Sequence, residues 1–251
     1  MNITRFKKDK GNRYKVLIDN EEYVLYDDTI LKFSLLTNKC IDDKLFQEVI
    51  KYNDFLKYYY LVIKFINKRL RCKKEILDYL NKYDVDKDNI DLIIKKLNNE
   101  GYLNEYVYLK SFINDSLNLS DDGPLKIKAK LVKLGFNDDS INEVLESILA
   151  NVDLNKRVSN IIEKKVRVNN NKGKYYLKRK ILLDLINLGY NKETILENLN
   201  IINFDDSNIY KKEREKAINK YSKKYSGYEL ECKVNNYLYR KGFSVGDYYE
   251  E

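Results

Sequence analysis

Lysines and arginines gather at recurrent places along this 251-residue chain. Lys68, Arg69, Arg71, Lys73 and Lys74 form one cluster, and Lys126, Lys128 and Lys130 a second. A third comprises Lys164, Lys165, Arg167, Lys172, Lys174, Lys178, Arg179 and Lys180. A fourth runs from Lys211 and Lys212 through Arg214, Lys216, Lys220, Lys223 and Lys224, with Glu213 and Glu215 among them. With a net charge of +8 and a pI near 9.0, such point charges suit a polyanion, either nucleic acid or an acidic protein groove. A charge of this size is also ordinary for solubility, so the placement of the charges matters more than their total.

Other chemistry is excluded by what the chain lacks. It has no histidine, and Cys40, Cys72 and Cys232 stand far apart, with neither ligand spacing nor a disulfide framework. No metal and no cofactor is expected. The acidic residues fall mostly at helix starts. Glu75 and Asp184 are the least cap-like, and both read as ordinary helix-surface residues. A helical-repeat glycosylase would need an acidic residue in an aromatic pocket, and the chain has no tryptophan, so no catalytic residue is assigned. The excess of Lys over Arg and the abundance of Asn, Ile and Tyr fit an AT-rich genome, so tyrosine content alone says little about base stacking. With no signal peptide and no membrane-spanning apolar run, the expectation is a soluble cytoplasmic protein, and a monomer.

The elements that must carry these charges are mainly helical. In Gly123–Leu149, Gly123 and Pro124 open a helix, and Ile127, Leu131 and Leu134 recur at helical spacing. Gly135 ends it, Phe136 packs back over its last turn, and Asn137 or Asp138 caps a second helix striped by Ile141, Val144, Leu145 and Ile148. The same corner, cap and stripe return around Gly189 and Gly242, and around Asp84, at spacings of 51, 54 and 53 residues. A period of this size marks a helical repeat whose neighbours complete one another's core. Met1–Tyr26 differs: ITRFKK, RYKVLI and EYVLY are strand-like runs separated by turn-forming clusters, a β-hairpin or three-stranded meander. Asp27 or Asp28 caps a short helix through Phe33, and Asp42 caps a longer one containing Leu45 to Ile50.

The predicted fold is therefore an elongated array of three-helix repeats behind a β-rich extension. The predicted divisions are 1–52 for the extension and its linking helix, 53–104, 105–151 and 152–204 for three complete repeats, and 205–251 for a partial fourth. The first repeat opens with a helix over Phe55–Leu70. In each unit the basic cluster lies between the first and second helices. Asp84, Asp86, Asp88, Asp138, Asp139 and Glu193 mark the other corner, where acidic side chains complement helix N-termini. The dipole does not account for lysines at the starts of second helices, such as Lys73, Lys74, Lys126 and Lys174, which it disfavours. The basic edge is read as a functional surface of solvated side chains.

These residues resemble the RecX family, regulators of the RecA recombinase, over essentially the whole chain. Arg69-Leu70-Arg71-Cys72-Lys73-Lys74-Glu75-Ile76 is similar to the family's basic first corner, R-x-R-S-x-x-E-L, with Cys72 in place of a capping serine. Gly101-Tyr102-Leu103-Asn104-Glu105 is similar to its junction into the second repeat. Gly123-Pro124, Ile127, Leu131 and Gly135 match its second-repeat signature. The resemblance implies a non-enzymatic, negative modulator that binds RecA filaments on single-stranded DNA, and DNA directly. It would limit strand exchange and ATP turnover. The residues assigned to that contact are Lys68, Arg69, Arg71, Lys73, Lys74, Lys126, Lys130, Lys164, Lys165, Arg167, Lys172, Lys174, Lys178, Arg179 and Lys180. The alternatives are a sequence-tolerant DNA-binding protein and a protein-binding scaffold, each independent of RecA.

Overall fold

A computed structural model describes residues 1–248, and the last three residues of the 205–251 segment lie outside the described residues. The chain forms two compact units, Met1–Tyr108 and a second from Leu109 onward.

The first unit opens with a three-stranded antiparallel meander, β1 (Ile3–Lys8), β2 (Arg13–Ile18) and β3 (Glu21–Tyr26), in the order β1-β2-β3. Asp19 and Asn20 both take positive φ in the two-residue turn that pairs Ile18 with Glu21. Asp and Asn tolerate that region, and such turns match the natural twist of a hairpin. One face of the sheet buries Val16, Ile18 and Leu25 against Ile30 of α1 (Asp27–Lys32) and against Phe46 and Val49 of α2 (Asp43–Ile66). Asp27 proves to be the first residue of α1 and not its cap: Tyr26 holds the cap position and makes no side-chain cap bond.

Asp42 caps α2 through Leu45 N–H, as its position predicts. The helix then continues unbroken for 24 residues, where two helices, the second opening at Phe55, were expected. The turn-forming residue Asn53 does not end it, because its amide reaches across to the sheet. Its nitrogen donates to Val24 O (3.0 Å) and its oxygen accepts from Tyr26 N–H (2.9 Å). The same helix thus covers the meander with its first turns. With Leu56 and Val62 it builds a second core against Ile76 and Leu80 of α3 (Lys73–Leu80) and Ile93 and Leu97 of α4 (Lys87–Asn99). It stops at Ile66, so Leu70 lies outside the helix and exposed.

The remaining helices are α5 (Glu105–Leu119), α6 (Pro124–Lys133), α7 (Asp138–Leu149), α8 (Leu154–Arg167), α9 (Lys174–Asn187), α10 (Lys192–Ile201), α11 (Ser207–Tyr221) and α12 (Gly227–Arg240). Ile127, Leu131, Ile141 and Leu145 are buried, and Val158, Ile162, Ile181, Leu185, Ile195 and Leu199 share one core from α8, α9 and α10. All four corner positions have positive φ: Asp84 at 50°, Gly135 at 88°, Gly189 at 85° and Gly242 at 87°. After each glycine corner the next N–H returns to the carbonyl five residues back, as in Phe136 to Leu131, Tyr190 to Leu185 and Phe243 to Leu238.

Two of these corners are also joints. Gly123 N–H donates to Leu188 O (2.6 Å) and Leu125 N–H to Gly189 O (3.1 Å). Gly173 N–H donates to Lys241 O (2.9 Å) and Tyr175 N–H to Gly242 O (3.2 Å). The C-terminal carbonyls of one helix meet the N-terminal amides of another, so groups that every helix leaves unpaired satisfy each other. A Cβ on Gly123 would lie 2.6 Å from Gly189 O, and one on Gly173 would overlap Gly242 O still more closely. Glycine is therefore required on both sides of each joint.

Candidate functional site

The first basic cluster is organised by Glu75. Its carboxylate pairs with Arg69 (2.5 Å) and Arg71 (3.2 Å), and accepts from Cys72 N–H (3.1 Å) and the Tyr108 hydroxyl (3.0 Å). Cys72 and Glu75 form a capping box at the start of α3, in which the carboxylate is the strong half and the buried thiol a weak acceptor. Burial raises the Glu75 carboxyl, but the Cys72 amide, the Tyr108 hydroxyl and Arg69 outweigh it, and the net shift is downward. Arg71 is not the solvated side chain expected of a basic edge. Only 12% of it is exposed, and its guanidinium lies 3.7 Å from the centroid of the Phe65 ring, on which Tyr79 also stacks at 4.1 Å. Its role is to tie Glu75 to an aromatic stack. Lys68, Lys73 and Lys74 remain exposed around it.

In the second cluster Lys126 (2.8 Å) and Lys130 both pair with Asp122, which is buried. In the third, Lys165 pairs with Asp184 (2.6 Å), so the least cap-like aspartate is an ion-pair partner. Lys172, Lys174 and Lys178 lie over the rings of Tyr176, Tyr175 and Phe204 at 4.5, 5.3 and 4.8 Å. The main chain of Lys174 donates to the buried Asp206 at 2.6 Å.

Glu75, Asp122 and Asp206 answer the puzzle of lysines at helix starts. Each second helix, α3, α6 and α9, has one shielded carboxylate at its N-terminus, where a negative charge is worth about 0.3–1 kcal/mol. The lysines are thereby offset in place. The carboxylate comes from inside α3, from two residues before α6, and from 32 residues away for α9, so no fixed spacing announces it. Of the fifteen assigned residues, Lys68, Lys73, Lys164, Arg167, Arg179 and Lys180 are exposed and have no ion-pair partner among the described residues. The fifteen residues thus divide into exposed cations without a carboxylate and cations held by carboxylates or aromatic rings.

Two further charged residues were missed. Glu213, read as part of a basic run, is fully buried at 0% exposure. It pairs with Lys216 (2.8 Å) and Lys241 (2.5 Å) and accepts from the Tyr237 hydroxyl (3.0 Å). Desolvation pushes its carboxyl up, but these three partners outweigh it and hold it at about 2. Arg157 donates to Tyr190 Oη (2.8 Å) and to the carbonyls of Leu117 and Ser120, closing the end of α5. Glu213 falls on the face of Tyr210 and Ala217 in α11, which is the one signal that would have marked it as buried.

Among the described residues no helix is long and apolar enough to cross a membrane. No family model matches the chain. Regulatory protein RecX of Streptococcus agalactiae serotype Ia is 32% identical over 254 residues, covering 98% of this chain and 96% of that protein. Regulatory protein RecX of Lactococcus lactis is 30% identical over 259 residues, covering 98% and 94%. The crystal structure of RecX from Lactobacillus salivarius is 27% identical, with a TM-score of 0.52 over 60% of this chain and 99% of that one. A second crystal structure of a regulatory protein RecX, 18% identical, shares the fold with a TM-score of 0.64 over 77% of this chain and 96% of that one. With near-complete coverage at 32% identity and the mainly helical fold behind a small sheet, the chain belongs to the RecX family of regulatory proteins.

Proposed function

We propose that this chain is a non-enzymatic, negative modulator of a RecA recombinase that binds RecA filaments on single-stranded DNA. On this reading its exposed basic residues meet the DNA backbone or acidic filament surface, and binding limits strand exchange and ATP turnover. The protein works as a cytoplasmic monomer, and its repeating element is the three-helix segment. The observation that carries the reading is that six cations of the predicted basic clusters are exposed and, among the described residues, have no ion-pair partner: Lys68 and Lys73 in the first unit and Lys164, Arg167, Arg179 and Lys180 in the second. Charges spread in this way suit an extended polyanionic partner, because no single contact dominates.

The test is a titration of the protein against bare single-stranded DNA, bare RecA and the assembled filament, at several salt concentrations. Binding should be tightest to the filament and fall as salt rises. Equal affinity for the filament and for bare DNA would leave a DNA-binding protein that needs no recombinase. Tight, salt-independent binding to RecA alone would point to a scaffold.

A further inference from the structure

The second unit carries a groove of about 740 Å³ between the start of α9 and the end of α12, a volume typical of ligand clefts. It is rimmed by Tyr175, Tyr176 and Tyr239, whose exposures are 54%, 41% and 76%. Arg179 and Arg240 line it as well, and neither has a carboxylate partner among the described residues. No described Asp or Glu lines the groove. Asn235, Asn236 and Ser244 are the other polar lining residues, and Asn235 Oδ1 is buried with no donor among the described residues. The floor is the glycine joint: Tyr175 N–H donates to Gly242 O (3.2 Å), and Tyr176 Cβ lies so close to Gly242 that no Cβ fits there. The aromatic rim is therefore set on a fixed backbone.

We propose that this groove binds a short stretch of single-stranded nucleic acid. The exposed Tyr239 ring offers a flat face for an unpaired base, the Tyr175 and Tyr176 rings, each with a lysine over it, add further aromatic surface, two guanidinium groups without carboxylate partners offer contacts to phosphates, and the amides can pair with base edges. Lys172, over the Tyr176 ring at 4.5 Å, adds a further positive charge at the rim. An acidic peptide would use the arginines but has no need of an aromatic rim. A duplex keeps its bases stacked inside and would leave the rings unused. The assignment deepens the DNA side of the proposed function and names its site, but it does not require the recombinase.

The probe is a fluorescein-labelled oligothymidylate, compared with a duplex of equal length and a glutamate-rich peptide. Tyr239→Ala, at the most exposed ring, should weaken oligothymidylate binding about tenfold while leaving the slope of log affinity against log salt unchanged. Arg179→Gln should weaken it less at high salt and reduce that slope by about 0.7, as expected for one lost phosphate contact on a single strand. Helical content and melting temperature, measured alongside, should match the wild type for both variants. Tyr239→Ala and Tyr175→Ala variants that fold normally and bind the oligonucleotide like the wild type would overturn the assignment. So would wild-type binding to the peptide but not to the oligonucleotide. Filament binding that fails in the wild type while oligonucleotide binding persists would reject the recombinase reading and leave the groove standing.

Discussion

Gly135 and Gly189 occupy equivalent corners with nearly the same φ, yet replacing each by alanine should have different consequences. Both variants place a Cβ in the left-handed region, at a cost of about 1–2 kcal/mol. At Gly135 nothing lies within 4 Å of that Cβ, so the cost ends there. At Gly189 the Cβ would overlap the main-chain nitrogen of Lys126, in the joint where Gly123 and Leu125 donate to Leu188 and Gly189. Backbone cannot swing aside as a flexible side chain does, so overlap adds roughly 1–3 kcal/mol. Loss of the two hydrogen bonds adds about 0.5–1.5 kcal/mol each. The expected totals are about 1–2 kcal/mol for Gly135→Ala and roughly 3–8 kcal/mol for Gly189→Ala. Urea unfolding measures the difference, and amide exchange at Gly123 and Leu125 localises it. Both amides should exchange faster in Gly189→Ala and be unaffected in Gly135→Ala. Equal losses in the two variants, with unchanged exchange at Gly123, would refute the reasoning that the joint, and not the φ angle, sets the larger cost.

Three more outcomes are expected. Gly123→Ser installs a favoured N-cap residue, but should destabilise by roughly 1–3 kcal/mol in thermal unfolding, because its Cβ would meet Gly189 O. Glu213 has a folded pKa held near 2, below its ordinary 4.5, so its contribution is fully present above about pH 4.5 and is lost as pH falls toward 2. That amounts to roughly 3 kcal/mol, and Glu213→Gln should flatten the acid limb of the stability curve by about this much. Arg71→Gln should cost roughly 1–3 kcal/mol in stability through its lost ion pair and ring contact, whereas Lys68→Gln should cost within about 0.5 kcal/mol, both measured by urea unfolding.

The corners were legible in the sequence because a helix end leaves a local signature. A glycine or Asp at positive φ, a capping Asn or Asp, and an apolar stripe at helical spacing all lie within a few residues of one another. Gly135, Gly189, the Asn137 cap of α7 and the buried stripe of Ile141 and Leu145 follow from that pattern. The meander was legible for the same reason. The long α2 was not, because the apolar runs over Leu45–Ile50 and from Phe55 onward read as two helices, and only the sheet shows where the Asn53 amide between them goes. The joints were invisible too: Gly123 reads only as a helix start, while the necessity of Gly123 and Gly173 comes from Gly189 and Gly242 far along the chain. Charge placement was legible as position but not as pairing. Arg71, Lys126 and Lys165 look the same in sequence as Lys68 and Arg167, and only the folded neighbours Glu75, Asp122 and Asp184 separate them.

The most direct test of the proposed role is filament binding by charge-reversal variants chosen for exposure and lack of ion-pair partners. Lys68→Glu with Lys73→Glu, and separately Lys164→Glu with Arg167→Glu, should each weaken binding to RecA filaments on single-stranded DNA by about tenfold at low salt, or about 1.4 kcal/mol. The effect should shrink as salt rises, since exposed charges are screened beyond about 8 Å at physiological ionic strength. Melting temperatures should stay near the wild-type value, and Asp138→Lys with Asp139→Lys should change binding far less. Basic and acidic reversals that weaken filament binding equally, or that both leave it unchanged, would contradict the account.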